Sequence, residues 1–415
     1  MPQFIRAIGA CMLAGALVST AAAHAATYYV ATTGSNSNPG TESKPWKTVA
    51  HAVNTMIAGD TTYVRGGTYN EGLIRFRRSG TQAAPIKLLN YPGEAPIINF
   101  INPSQFHRIL IEHASGFANA MGWITIEGFE IRNGHTNIKF YNLHNSTIRR
   151  NWIHHANSQG ILGVGGHHNT FEHNIINHNG DFEGCLAAKV GCTLRHGLYM
   201  AGNFYTIVNN LIYDNLAFGI VVNGSSSGYK PSSHPSPEFA GASDWVIANN
   251  VFAYQYSASG VNLWGSLVHR VRIENNIFYE NNADGGSSQG LIFTSLGGTG
   301  NTIRNNLAYA TAPRPTVFLG STGATEGVNY EQSGNIVNTD NPRFLNAPST
   351  LPESPNFKLH ERSSAIDKGL SLNTTRIAFD GTTRPQGRAY DIGAYEYSAG
   401  GDSQSPTAPT ALVIH

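Results

Sequence analysis

Charged residues are scarce in this sequence of 415 residues. Lysine and arginine number 27, and aspartate and glutamate 26, so that 13% of the chain is charged and the net charge is +1. Proteins that bind nucleic acid usually carry a concentrated basic surface, so we expect no nucleic-acid partner. Glycine, in contrast, is abundant with 45 residues. A polar, weakly charged and turn-rich composition is typical of many short strands joined by turns.

Long apolar runs are also missing. The apolar run over residues 7–18 is too short to span a bilayer. It follows Arg6 and precedes Ala23-His24-Ala25, a small-x-small cleavage site. Residues 1–25 are therefore predicted to be a secretory signal peptide, and the mature protein to be secreted or periplasmic without a transmembrane segment.

Cysteine is the third scarce feature, with three residues in the chain. Cys11 would be removed with the signal peptide. Cys185 and Cys192 lie in one predicted loop of an exported protein, where a local disulfide is expected. Two isolated thiols make a poor metal site, so we do not expect them to bind a metal ion.

An internal repeat organises the middle of the chain. Seven segments share the pattern apolar–x–x–Asn–apolar–apolar, with glycine replacing asparagine in the first. The shared position falls at residues 128, 151, 174, 210, 250, 276 and 306. Successive positions are 23 to 40 residues apart, which indicates a solenoid whose longer intervals contain loop insertions. Asparagine tolerates left-handed backbone angles, and its amide can hydrogen-bond the equivalent asparagine one coil away.

A second strand follows each asparagine turn and its short strand. The aligned segments are 137–141, 160–164, 197–201, 219–223, 260–264 and 290–294. Alternation with a period of two directs inward Ile138, Phe140, Leu198, Met200, Ile220, Val222, Val261, Leu263, Leu291 and Phe293. The sequence therefore predicts an all-β fold, a right-handed parallel β-helix over residues 26–397.

Both ends of the solenoid have their own signals. Residues 46–57 have helical spacing and are followed by Gly59-Asp60, which predicts a short helix that caps the N-terminal end. Residues 398–415 are rich in serine, proline and threonine, which predicts a flexible linker that would lead to a further module.

Passages near both ends resemble a known family. They are residues 28–40, 45–48 and 59–69, and residues 364–367, 379–387 and 390–397. These passages resemble the opening and the end of exported right-handed β-helix proteins of the pectate-lyase-like superfamily, which includes family 9 polysaccharide lyases. The resemblance implies the fold and a polysaccharide partner. It leaves the chemistry open, because this superfamily contains lyases, hydrolases, epimerases and surface proteins.

Two insertions, residues 179–195 and 225–243, are predicted to form the walls of a groove. Its floor would be the outward face of the second strands, with one row at 139, 162, 199, 221, 262 and 292 and another at 141, 164, 201, 223, 264 and 294. Aromatic rings there would stack on sugars, while amides and cations would bind hydroxyls and carboxylates. The candidate substrate-binding residues are Lys139, Tyr141, Asn223, Tyr229, Lys230, Asn262 and Trp264.

A third row of side chains lies just before the second strands. It consists of His155, His178, Asp214, Tyr254 and Glu280. β-Elimination on a uronate needs a cation that neutralises the carboxylate, a base for the α-proton and an acid for the leaving oxygen. Arg195 is the candidate cation, His178 or His196 the base, and Tyr199 the acid, with Asp214 orienting a histidine. The alternative for each histidine is an ordinary polar turn residue.

Metal binding is a separate hypothesis. Many lyases of the resembled fold use Ca²⁺ held by several aspartates, whereas the middle coils here contain only scattered acidic residues. Asp181 and Glu183 are the candidate Ca²⁺ ligands. The neighbouring histidines could instead hold a transition metal.

Three functions compete at this point. The first is a secreted polysaccharide lyase that cleaves a uronate-containing glycan. The second is an inverting glycoside hydrolase, which needs two carboxyl groups about 6.5–9.5 Å apart, and Asp214 with Asp181, Glu183 or Asp244 is the candidate set. The third is a non-catalytic glycan-binding or cell-surface protein. In each case we expect a monomer.

Overall fold

Three parallel sheets form the sides of a right-handed β-helix. The computed structural model describes residues 25–399 except 103–105, 117–118, 189–193, 226–240, 283–289, 295–297 and 312–317. Along each coil the chain passes from a strand of sheet A to one of sheet B and then to one of sheet C. We call the connections the AB, BC and CA turns.

The strand bounds among the described residues are as follows. Sheet A contains Thr27–Val30, Thr61–Val64, Ile86–Asn90, Ile124–Glu127, Thr147–Arg149, Thr170–Glu172, Thr206–Val208, Val246–Ala248, Arg272–Glu274, Asn301–Arg304 and Tyr330–Ser333. Sheet B contains Gly67–Glu71, Pro96–Phe100, Glu130–Arg132, Trp152–His154, Ile175–Asn177, Leu211–Tyr213, Val251–Ala253, Ile277–Tyr279, Leu307–Tyr309 and Ile336–Val337. Sheet C contains Ile74–Phe76, Ile109–Ile111, Met121–Gly122, Ile138–His144, Ile161–His167, Leu198–Met200, Gly202–Asn203, Ile220–Asn223, Ala242–Ser243, Val261–Trp264, Val268–His269, Leu291–Thr294 and Leu319–Thr322.

The remaining elements are short. Helix α1 spans Val49–Thr55, helix α2 spans Phe182–Ala188, and a 3₁₀ turn spans Asn373–Thr375. The strands Phe344–Asn346 and Asn356–Leu359 pair antiparallel. Within the described part of the chain, no helix is both long and apolar enough to cross a membrane.

Helix α1 confirms the predicted N-terminal cap, but it is shorter than residues 46–57. Its first turn is closed by the Thr48 side chain, which accepts a hydrogen bond from the His51 N–H at 3.2 Å. The Glu71 carboxylate accepts the N–H of Val49 at 2.7 Å. Met56 leaves the helical conformation at φ −53° and ψ 138°, which ends the helix there.

The predicted asparagine ladder is confirmed at the AB turn, where it runs through Asn151, Asn174, Asn210, Asn250, Asn276, Asn306 and Asn335. The backbone N–H of each asparagine donates to Oδ1 of the next at 2.9 to 3.1 Å. The ladder faces inward and is almost completely buried up to Asn306. It therefore satisfies backbone groups that water cannot reach.

Two apolar clusters stabilise the fold. The first fills the inside of the coils and contains the ten predicted inward side chains of the second strands, each fully buried. The second lies between the outer face of sheet B and the C-terminal segment, which was not foreseen. From sheet B it includes Ile175, Leu211, Val251, Ile277 and Leu307, and from the C-terminal segment Phe357, Ala365, Ile392 and Tyr395. Sheet B is thus covered, whereas sheet C presents the candidate site.

Candidate functional site

The outer face of sheet C has the register that the sequence predicted. Lys139 lies between Leu110 and Leu162 on the neighbouring coils, and Leu162 pairs with Tyr199. Asn223 pairs with Trp264 in the second row. The candidate substrate-binding side chains of these strands therefore share one face of the solenoid.

A pocket of about 420 Å³ opens at the N-terminal part of this face. Its polar lining consists of Arg108, Glu112, His135, Thr136, Lys139, Tyr141 and Gln159. We call it the basic pocket. Its size is within the range of small-ligand sites in proteins.

The two cations of the basic pocket have no carboxylate partner among the described residues. Arg108 is only 7% exposed; its Nε donates to the Phe106 carbonyl at 2.8 Å, and its guanidinium lies 5.0 Å from the centre of the Phe106 ring. Burial lowers the pKa of Arg108. The Lys139 ammonium lies 4.8 Å from the centre of the Tyr141 ring. Glu112, the acid of the pocket, is paired with Arg75 at 2.5 Å.

His135 lies beside these cations, with its ring centre 4.7 Å from that of Phe106. Burial lowers the pKa of His135, and the positive charges of Arg108, Arg195 and Lys139 lower it further. The imidazole is therefore neutral at neutral pH and is able to accept a proton.

Farther along the face, an aromatic and amide cluster follows the basic pocket. Asn223 Nδ2 donates to the Tyr199 hydroxyl at 2.9 Å, and the rings of Tyr199 and Trp264 are 6.3 Å apart. Asn262 accepts a hydrogen bond from the Thr294 hydroxyl at 3.1 Å. Burial raises the pKa of Tyr199. These side chains form a surface on which a sugar ring could stack.

His196 lies beneath this cluster and not in the groove. It is 3% exposed, its ring stacks on Tyr199 at 5.5 Å, and its Nδ1 accepts the Phe218 N–H at 3.3 Å. Burial lowers the pKa of His196 to about 3. The structure thus corrects the expectation that His196 offers a base to a ligand.

His178 and Asp214 form the contact expected for an oriented histidine, but they do so at the BC turn. His178 Nδ1 lies 2.8 Å from Asp214 Oδ2, and the His178 ring stacks on Phe182 at 4.5 Å. The hydrogen bond and charge of Asp214 raise the pKa of His178. With His155, these rings border a pocket of about 610 Å³ that Asp181 and other turn residues line.

The structure therefore divides the predicted catalytic set. His178 hydrogen-bonds Asp214 and His196 accepts the N–H of Phe218, two residues of the next coil that are four positions apart. Arg195 lies between the two positions, where its Nη1 donates to the carbonyl and to Oδ1 of Asn157. It is close enough to His135 to influence the basic pocket.

Calcium does not fit the predicted ligands. Among the described residues, no three His, Cys, Asp or Glu side chains converge as a metal site. Asp181 Oδ1 accepts the Gly184 N–H at 2.9 Å, and Glu183 is exposed on helix α2. Two carboxylates of this kind are far from the six to eight oxygen ligands that Ca²⁺ takes.

Asp244 is also misplaced for the hydrolase hypothesis. It lies on the CA turn, at the opposite edge of sheet C from the BC turn that carries Asp214. Both of its oxygens are occupied by Arg270, at 2.7 and 2.6 Å. Asp214 with Asp181 or Glu183 remains as the carboxylate set at the BC turn.

Several predictions concern residues outside the described part of the chain. They are most of the signal peptide and linker, Tyr229 and Lys230 of the second insertion, and Cys192. Cys185 is buried in helix α2. The disulfide and the second wall of the groove therefore stay predictions.

Arg108, His135 and Gln159 were missed by the sequence reasoning. For Arg108 a signal existed, because it directly precedes the strand Ile109–Ile111, whose two isoleucines alternate inward before the recognised repeats begin. His135 and Gln159 lie immediately before second strands, at positions that carry no shared pattern. Their proximity to Lys139 becomes visible only when the coils are stacked.

Three curated proteins are similar in sequence to parts of this chain. A segment of 71 residues is 44% identical to the uncharacterized protein YwoF of Bacillus subtilis (strain 168), covering 17% of this chain and 15% of that protein. A segment of 76 residues is 42% identical to pectate lyase PEL9 of Emericella nidulans, covering 18% of each. Pectate lyase L of Dickeya dadantii is 22% identical over 369 residues, 84% of this chain and 76% of that protein. The matches to the first two relatives span less than a fifth of their length.

Solved structures share the fold. Pectate lyase Pel9A superposes with a TM-score of 0.51 at 17% identity, covering 89% of this chain and 96% of that chain. A glycoside hydrolase (9% identity; 75% of this chain, 96% of that chain) and PfbA, a surface adhesin of Streptococcus pneumoniae (12%; 69% and 72%), each give a TM-score of 0.50. Residues 28–313 match the family model described as the Pel9A-like right-handed beta helix region. Because this match covers well over half of the chain, the protein belongs to the Pel9A-like right-handed β-helix family.

Proposed function

We propose that this protein is an exported polysaccharide lyase that cleaves a uronate-containing glycan by β-elimination in the basic pocket. The observation that carries the proposal is the pair of cations, Arg108 and Lys139, without a carboxylate partner among the described residues. A desolvated cation is costly unless an anion accompanies it. A uronate carboxylate would supply that anion.

The remaining groups of the pocket match the other needs of the reaction. Arg108 and Lys139 neutralise the carboxylate, which makes the proton on C5 more acidic. His135 takes this proton, the bond between C4 and the glycosidic oxygen breaks, and a C4–C5 double bond forms. Tyr141 gives its proton to the leaving oxygen. No step requires a metal ion.

His135 is a better base than the predicted histidines for a physical reason. Its pKa is lowered, so it is neutral at neutral pH. Asp214 favours the protonated form of His178, and His196 is buried. Tyr199 and Trp264 would then hold sugar units on the product or substrate side of the cut bond.

The test is an ultraviolet-absorbance assay for the unsaturated product on polygalacturonate, alginate and glycosaminoglycans, each with and without chelator. Lys139→Met should lower the elimination rate at least about 10²-fold, because it removes a cation from the developing negative charge. His135→Asn should lower it by about 10²- to 10⁴-fold. Lys87→Met, which changes an exposed lysine on sheet A, is the matched control and should retain full activity.

Four outcomes would contradict the proposal. If no polymer gave an unsaturated product, elimination would be excluded for these substrates. New reducing ends without that product would favour a hydrolase, and binding without cleavage would favour a non-catalytic protein. Equal activity of Lys139→Met and Lys87→Met would remove the basic pocket from the reaction.

A further inference from the structure

In six successive coils the CA turn places one residue in left-handed backbone, at φ angles of 48° to 60°. The residues are Trp123, Asn145, His168, Phe204, Asp244 and Arg270. Asparagine is well suited to this conformation, and it occupies the equivalent AB-turn position at residues 209, 249, 275 and 305. Bulky rings are unfavourable there, and strained backbone of this kind often marks a functional surface.

The rings at this turn form a continuous row. We call Trp123, His144, His167, His168 and Phe204 the aromatic stripe. Neighbouring ring centres along it are 6.4, 5.3, 5.1 and 4.6 Å apart. The rings of His144 and His167 are stacked with an inclination of 14°, and those of His168 and Phe204 with one of 11°, so that each ring covers one face of its partner. The stripe therefore runs along the solenoid axis over four successive coils.

The C-terminal part of the stripe is exposed to solvent, and a glycine leaves space for one of its rings. Phe204 is 46% exposed and His168 is exposed. Gly122 leaves space for the His144 ring, since a Cβ at residue 122 would lie 2.3 Å from His144 Cε1. In the next two coils, the equivalent positions carry Asp244 and Arg270, which form an ion pair, so the row of rings ends at Phe204.

The stripe is also continuous with the candidate site. One strand, Ile138–His144, carries Lys139 and Tyr141 into the basic pocket and His144 into the stripe. Tyr141 and His144 are three residues apart on this strand, so at most about 10 Å of chain separates them. The stripe thus runs parallel to the outer face of sheet C, at its edge.

We propose that the aromatic stripe is a second, non-catalytic binding surface for a polysaccharide chain, which it holds beside the basic pocket by stacking of its exposed rings, His168 and Phe204, on the C–H faces of sugar rings. The choice of a polysaccharide as ligand rests on the proposed function, because the same strand supplies both sites. Stacking of this kind needs flat, exposed rings and little charge. Regular coil spacing, about 4.8 Å, presents the rings at even steps to an extended polymer.

The double variant His168→Asn, Phe204→Asn separates binding from folding. Asparagine is favourable in left-handed backbone, so the melting temperature should stay the same or rise. Electrophoretic retardation would be measured in native gels that contain polygalacturonate, alginate, xylan or galactan. We expect at least one polymer to retard the wild-type protein. The double variant should bind that polymer at least about tenfold more weakly, which corresponds to about 1.4 kcal/mol. Val328→Ser, at a residue 61% exposed elsewhere, is the control and should bind as the wild type does.

Two results would overturn this proposal: no polymer retards the wild-type protein, or the double variant is retarded as strongly as the wild type. Lys139→Met in the same gels distinguishes the two sites. Loss of all retardation by Lys139→Met alone, with the double variant unaffected, would assign binding to the basic pocket. Retardation that depends on the stripe, in a protein that forms no unsaturated product, would support the stripe and exclude the proposed lyase activity on these polymers.

Discussion

At the scale of single residues, the basic pocket depends on several positive charges that lie close together. Arg108, Arg195 and Lys139 all act on the His135 imidazole and lower its pKa together with burial. Mutual repulsion of cations in a partly buried place is unfavourable for folding. A carboxylate ligand would relieve it, so the pocket is better suited to bind an anion than to stabilise the fold.

Arg108→Gln should move the acid limb of the pH–rate profile to higher pH. The base must be deprotonated to work, so activity is lost as the pH falls through the pKa of His135. Removing a neighbouring cation raises this pKa, because the protonated imidazole is then repelled less. The measurement is kcat/KM for elimination against pH. Arg362→Gln, at a side chain 75% exposed, is the control and should leave the limb in place. An unchanged limb in Arg108→Gln would speak against His135 as the base.

Asp214→Asn should lower the pKa of His178, which the hydrogen bond and charge of Asp214 raise in the wild-type protein. Because the pKa of His178 is raised in the folded state, its interaction with Asp214 stabilises the fold fully below the unfolded pKa of about 6.5. This stabilisation is lost as the pH rises through the pKa of His178 in the folded protein. The difference in melting temperature between the wild type and the variant should therefore be larger at pH 6 than at pH 9. Histidine C2-proton NMR shifts would follow the titration directly. A His178 midpoint that does not move would contradict the assignment.

At the scale of structural elements, the asparagine ladder connects every coil to the next. Asn210 is completely buried, its Nδ2 donates to the carbonyls of Phe171 and Val208 at 2.9 and 3.0 Å, and its Oδ1 accepts the Asn174 N–H at 2.9 Å. One amide thus satisfies backbone groups of two coils. An apolar side chain at this position would leave them without partners.

Asn210→Leu should lower the free energy of unfolding by about 3 to 5 kcal/mol, because several buried polar groups lose their hydrogen bonds at once. Urea unfolding followed by circular dichroism is the measurement. Asn335→Leu changes the same ladder at a partly exposed coil and should cost only about 1 kcal/mol, since water can replace the lost bonds. If both variants lost the same free energy of unfolding, burial would not determine how much each asparagine of the ladder contributes to stability.

At the scale of the whole molecule, the C-terminal segment closes the outer face of sheet B. Arg384 and Glu396 form a completely buried ion pair at 3.1 Å, and Arg384 also donates to Asn209 Oδ1 at 2.7 Å. The Asn249 amide donates to the carbonyls of Asp391 and Gly393, each at 3.0 Å. Side chains of the AB turn therefore anchor a segment that is far away in sequence.

Asp391→Asn should make the stability of the protein less dependent on pH. Burial raises the pKa of Asp391 to about 7, above its unfolded value of about 3.9. The stability that this group contributes is therefore present below about pH 4 and is lost as the pH rises to 7. Melting temperatures at pH 5 and pH 8 should differ more in the wild type than in the variant. Asp340→Asn, at an exposed site, is the control and should show the same pH dependence of the melting temperature as the wild type. If Asp391→Asn also showed the wild-type pH dependence, the raised pKa of Asp391 would be contradicted.

The coils were predictable from the amino-acid sequence alone, because in a solenoid residues one repeat apart become neighbours in space. This is why the asparagine ladder, the inward side chains and the outward register of Lys139 with Leu162 were all predictable. Helix α1 was predictable from local spacing, although its ends depended on Thr48 and Met56.

Which polar side chains meet depends on tertiary contacts that the repeat pattern does not report. Arg108 and His135 approach Lys139 from positions outside the recognised pattern, and His196 is buried because Tyr199 and Phe218 enclose it. The C-terminal segment has no repeat that would reveal the sheet it covers. Periodicity reports on contacts between equivalent positions, whereas the candidate site is built from turns and insertions whose side chains have no equivalents. Their arrangement depends on the packing of the complete chain.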